Sequence, residues 1–193
     1  MQTENNLAER ITASTLYCEY ERAFSEATGL PLRLRPVESW QLPHHGQRKE
    51  NPFCAMMAQK SRACAACLQV QQELGNTARD RANSVTCQVG MCDTAVPIKL
   101  GDKLIGFLHT GQIFRKKPNE AQFRKVAELT RQWGVEVEET ELRKAYFDTR
   151  VMSQKEHDAV VKLLDRRPEH RWVPAHLVER GEPVVAVERA VLH

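Results

Sequence analysis

The stretch Cys87–Phe114, CQVGMCDTAVPIKLGDKLIGFLHTGQIF, decides the fold. Val96, Ile98 and Leu100 alternate with Pro97 and Lys99, Gly101-Asp102 supplies a two-residue turn, and Lys103 to Leu108 returns as an apolar run. Glycine at the first turn position tolerates the positive φ of a tight type II′ hairpin, whose twist suits the strands on either side. The returning strand ends in the polar cluster His109-Thr110-Gly111-Gln112, where a pocket would find hydrogen-bonding groups.

Outward from the hairpin, the chain reads as helices around a small sheet. Residues 4–28 carry Leu7, Ile11, Leu16, Tyr20 and Phe24 on one stripe and read as one helix stopped by Gly29. Cys18 inside it reads as a small buried hydrophobe. Leu30, Leu32 and Leu34 alternate between Pro31 and Pro36, the signature of an edge strand. Downstream, Asn119-x-x-Gln122 and Ser153-x-x-Glu156 are capping boxes opening amphipathic helices, and Glu139–Phe147 is a third helical run. The fold class expected is α+β, a small antiparallel sheet with an N-terminal helix, flanking helices and C-terminal helices.

Length and charge exclude several functions. At 193 residues the chain suits one domain with an appendage, and it builds a core without help from cysteine cross-links. A net charge of +3 with signs mixed throughout gives no basic stripe for nucleic acid. No apolar run approaches the roughly 20 residues of a membrane span, and the polar N-terminus is not a secretory signal. The expected location is the cytoplasm, where six cysteines are reduced, metal-bound or redox-sensing rather than structural disulfides.

Four of those cysteines, Cys54, Cys64, Cys67 and Cys87, fall within 34 residues, with Cys92 to spare. Two readings stand side by side: a zinc or iron–sulfur centre on these four thiolates, or reduced thiols lining an apolar pocket. The spacing C-x9-C-x2-C-x19-C is not a standard finger pattern. A thioredoxin-type centre at Cys64-x-x-Cys67 would need a strand just before it, and the preceding residues read as helix or loop. His44-His45 reads as a solvated loop, since adjacent histidines face different ways in a regular element. No nucleophile elbow, phosphate loop or dinucleotide fingerprint is present, so an enzyme is not expected.

With these residues laid out, the sequence resembles the sensory domain of the PocR family, a PAS-like module, over about Leu7 to Leu164. The resemblance rests on Asn51-Pro52-Phe53-Cys54, on Cys64 and Cys67, on Cys87-x-x-Gly90-Met91-x-Asp93, on Val96-Pro97-Ile98, and on Gly106 to Gln112 ending Thr-Gly-Gln. It implies a domain that binds a small organic effector, such as a diol or hydrocarbon derivative, and passes the signal to an output partner. In many members that output is a DNA-binding helix-turn-helix pair. Here residues 1–165 match the sensory unit, and residues 166–193 read as a poorly integrated or disordered tail without a helix-turn-helix. Direct nucleic-acid binding is therefore not carried over, and a homodimer or a separate output protein takes its place. The expected effector pocket is walled by Trp40, Phe53, Met91 and Phe107, with His109 and Gln112 as polar handles.

Overall fold

The structure, a computed structural model, describes residues 2–39 and 41–165. Trp40 and the expected tail, 166–193, lie outside the described residues. Among the described residues seven helices and one sheet follow in chain order: α1 (Gln2–Thr12), α2 (Thr15–Thr28), β1 (Arg33–Pro36), α3 (Pro52–Ala58), α4 (Ser61–Thr77), β2 (Asn83–Thr86), β3 (Cys92–Leu100), β4 (Lys103–Ile113), α5 (Glu120–Gln132), α6 (Glu139–Phe147) and α7 (Gln154–Leu164). The α+β class expected from the sequence is the one observed.

The hairpin is the centre of the sheet. β3 and β4 pair antiparallel with Leu100 opposite Lys103, so Gly101 and Asp102 form the turn, and Gly101 has the positive φ of 59° that the turn requires. β1 adds antiparallel to β4 and β2 to β3, giving the order β1-β4-β3-β2. β1 lies at the edge, as its prolines require, and its outward Leu34 N–H donates to the Tyr17 hydroxyl at 2.6 Å. β2 has no apolar alternation in its sequence, NSVT, and only its pairing with β3 defines it.

The N-terminal helical stripe is divided. Ser14 takes an extended conformation and its side chain accepts the Tyr17 N–H, capping α2 and ending α1 before it. Cys18 is exposed on α2 rather than buried, its thiol facing the Thr12 carbonyl at 3.7 Å. Both downstream capping boxes form, Asn119 with Gln122 and Ser153 with Glu156.

Strand alternation sends the core to both faces. On one, Cys92, Val96, Leu108 and Ile113 meet Tyr17 and Phe24 of α2 and Val160 and Leu164 of α7. On the other, Ala95 and Phe107 meet Val70 and Leu74 of α4. A third cluster joins Phe53 and Met57 of α3 and Met91 to α5 and α6, with Tyr146 edge-on to Phe53 and Phe114. A parallel bridge between Phe114 and Val151 ties the end of β4 to the segment that starts α7.

Candidate functional site

Asn51 organises the local backbone. Its side chain caps α3 by accepting from Phe53 N at 2.8 Å and Cys54 N at 3.2 Å, and Pro52 suits the first helical turn because its missing N–H is not needed there. The same side chain donates to Thr149 Oγ1 at 2.9 Å, and Asn51 N donates to Gln112 Oε1 at 2.7 Å. One residue therefore fastens α3 to the end of β4.

That end of β4 is irregular. Asp93 pairs with Gly111 and Cys92 with Ile113, which leaves Gln112 as the extra residue of a β-bulge. Gln112 has φ of 58°, a left-handed conformation that a side-chain-bearing residue seldom adopts. The gain is a hydrogen bond from Gln112 N to Asp93 Oδ1 at 3.0 Å. Gly111 beside it is crowded: a Cβ there would stand 2.6 Å from the Cys92 carbonyl oxygen and 2.7 Å from Asp93 Oδ1.

Between α3, α4 and the start of β3 lies a cavity of about 50 Å³. Its apolar wall includes Phe53, Met57, Val70 and Met91, and its polar groups include His44, Gln71, Asp93 and Gln112. Gln71 links two charged groups: its Nε2 donates to Asp93 Oδ2 at 3.4 Å, and its Oε1 accepts from Arg35 Nη1 at 3.3 Å. Burial pushes the Asp93 carboxyl up to about 6, against the opposing pull of the Gln112 N–H. His44 is 2% exposed, and among the described residues neither ring nitrogen has a hydrogen-bond partner. Burial, with Arg35 and Arg33 nearby, lowers it to about 3, so it is a neutral imidazole with one donor and one acceptor unmet. The two adjacent histidines thus divide: His44 is inside, while His45 is exposed and pairs with Glu50 Oε1 at 3.4 Å.

Of the expected pocket residues, Phe53, Met91 and Gln112 line this cavity. Phe107 and His109 do not; they stack edge-on with centroids 6.1 Å apart in the layer between β4 and its neighbours, and His109 Nδ1 is buried without a partner. Sequence reading assigned His44 to a solvated loop, which its burial corrects, named Asp93 only within the resemblance and did not single out Gln71. Gln71 carries no local signal at all, because only tertiary packing gives this helix position its two partners.

The expected four-thiol centre is not assembled. Cys54, Cys67 and Cys87 share the cavity wall but Cys64, a turn before Cys67 on α4, is not part of it. Among the described residues no three His, Cys, Asp or Glu side chains are arranged to hold a metal ion. Burial raises all three cavity thiols, Cys54 well above its usual range, Cys67 to about 12 and Cys87 to about 11; the Asp93 charge adds to this at Cys54 and Cys87, and the neighbouring Cys87 at Cys67. They form a neutral, sulfur-rich wall, with Cys54 Sγ 3.6 Å from Met91 Sδ.

A four-stranded antiparallel sheet with a small amphipathic hollow beneath α3 and α4 places the chain in the α+β class. The family model described as the sensory domain found in PocR matches residues 18–167, and the chain belongs to that family. Membership implies small-molecule sensing within a signalling or regulatory protein, in a family that is generally non-catalytic. No curated protein and no solved structure matches the chain. Among the described residues no helix is long and apolar enough to cross a membrane.

Proposed function

We propose that this chain senses a small, partly apolar organic effector of the diol or hydrocarbon-derivative class, bound in the cavity between α3, α4 and β3, and relays its presence to an output partner. The observation that carries the reading is His44, a fully buried imidazole in the cavity wall whose two nitrogens have no hydrogen-bond partner among the described residues. An unmet buried polar group is costly unless a ligand meets it. Asp93 across the same hollow accepts from a donor, and Phe53, Met57 and Met91 take the carbon skeleton.

Size limits the effector further. A single water occupies roughly 10–15 Å³ by the same measure, so about 50 Å³ admits about three to five non-hydrogen atoms. Two- to four-carbon alcohols and two- or three-carbon diols fit; sugars and aromatic rings do not.

Thermal unfolding of the full chain against a panel of short alcohols and diols tests this. A true effector at a hundredfold excess over its Kd stabilises the protein by about 2.7 kcal/mol. His44→Phe and Met91→Trp, which fill the hollow, should abolish that shift while leaving the chain folded. A shift that survives both substitutions would place the ligand elsewhere.

A further inference from the structure

Asp93 is a carboxylate set in the wall of a cavity to which no lysine or arginine contributes. Its two oxygens accept from neutral donors, Gln112 N at 3.0 Å and Gln71 Nε2 at 3.4 Å, and among the described residues it makes no ion pair. Arg35 reaches this network only through the uncharged amide of Gln71. The second acid in the wall, Glu50, accepts from Gly46 N at 2.9 Å and from His45, so it adds negative charge rather than relieving it. Thiol and thioether sulfurs make up much of the remainder, and they are neutral and polarisable. The cavity thus carries an acid at Asp93 that no cation pairs with among the described residues.

Resting on the reading that this cavity holds the effector, we infer that the effector carries a protonated amino group that pairs with Asp93, on a short skeleton whose hydroxyl meets His44. The ligand class is a small amino alcohol. An ammonium brings a compact positive charge and three donors to a carboxylate that has room for them, and a charge-assisted hydrogen bond is about twice as strong as a neutral one. A diol of the same size would hydrogen-bond to Asp93 but leave its charge uncompensated. A hydroxy acid would set a second carboxylate against the first, where like charges repel. His44 completes the match at the other end, since a hydroxyl both donates and accepts and the neutral imidazole lacks one of each. Burial raises the Asp93 carboxyl, and the pull that opposes it comes from the uncharged Gln112 N–H rather than from a cation.

Three probes that share a three-carbon skeleton decide the matter on the full chain by calorimetry near neutral pH: 1-amino-2-propanol, 1,2-propanediol and lactate. The amino alcohol is expected to bind at least about tenfold more tightly than the diol, a difference of about 1.4 kcal/mol, with lactate weakest. Asp93→Asn should cancel the amino alcohol's advantage, bringing its affinity within about threefold of the diol's in the same variant. A diol that binds wild-type protein as well as the amino alcohol overturns the inference and leaves the cavity reading standing. Lactate binding tightest overturns it as well, and would move the charged contact to His44 and Arg35. Binding of none of the three removes both readings together. The wild-type comparison needs no variant, so it holds even if Asp93→Asn were poorly folded.

Discussion

Asp93 and His44 affect stability as well as the cavity, and with opposite signs. For Asp93 the folded value, about 6, lies above the ordinary 3.8, so the unfolded chain loses this proton first as pH rises. The folded state then suffers a penalty that is absent below about 3.8 and complete above about 6, at most about 3 kcal/mol. His44 is the mirror case: its folded value of about 3 lies below the ordinary 6.5, so stability is lost as pH falls from 6.5 towards 3. Urea denaturation across pH separates the two through variants. Asp93→Asn should be more stable than wild type above pH 6 and converge with it in acid, whereas His44→Phe should gain its advantage on the acid side. Parallel curves for wild type and Asp93→Asn at all pH values would mean that the carboxylate is solvated after all. Neither role was legible in the sequence. His44-His45 looked like a polar loop because burial of the first depends on β1 and α3 closing over it, and Asp93 stood inside a matched motif with no local feature to mark its charge as buried.

At the scale of elements, what could be read was whatever local chemistry fixes alone. The hairpin, the edge position of β1 and both capping boxes follow from alternation, proline and side-chain-to-backbone hydrogen bonds within a few residues. The division of α1 from α2 was missed because the apolar stripe runs past Ser14, and β2 was missed because its pairing with β3 outweighs its polar sequence. The bulge at Gln112 is the same kind of case, set by the bond to Asp93 rather than by propensity. Two glycines show how differently local and tertiary constraints act. Gly101 needs only its positive φ, since a Cβ there would meet nothing within 4 Å, and Gly101→Ala should cost about 1 kcal/mol. Gly106 pairs with Pro36, and a Cβ on it would run into the Arg35 carbonyl oxygen of the edge strand. Gly106→Ala should therefore cost more than about 2 kcal/mol, by forcing β1 away from β4. Equal losses in chemical denaturation would show that β1 yields easily.

The whole molecule sets the cavity on one face of the sheet and α7 on the other, with β3 shared between them. Asp93 and Thr94 are consecutive and so point to opposite faces. Asp93 enters the cavity, while Thr94, fully buried, meets His157 Nε2 of α7 at 2.9 Å and Ser84 Oγ of β2 at 2.8 Å. Arg115 Nη1 lies 3.0 Å from His157 Nδ1. An arginine always donates, so Nδ1 is the acceptor, Nε2 carries the proton to Thr94, and Thr94 passes its own to Ser84. A second connection leaves the bulge through Phe114, whose N–H and carbonyl bond Arg150 O at 2.9 Å and Met152 N at 2.8 Å just before α7 begins. A ligand that pulls on Asp93 therefore acts on the anchors of α7 along both strands, and α7 is the element through which an output partner would read it. Hydrogen exchange on the full chain measures this directly: an effector should slow exchange in α7 as well as in α3 and α4. Thr94→Val keeps the shape but strands the His157 N–H, costing about 1–3 kcal/mol, and should leave ligand affinity within a few-fold while the response of α7 weakens. If α7 exchange ignored the ligand, or followed it unchanged in a double variant that cuts both routes, Thr94→Val with Met152→Pro, which removes the N–H donated to Phe114 O, the sheet would not be the link, because the coupling needs at least one of these two hydrogen-bonded paths to bear it.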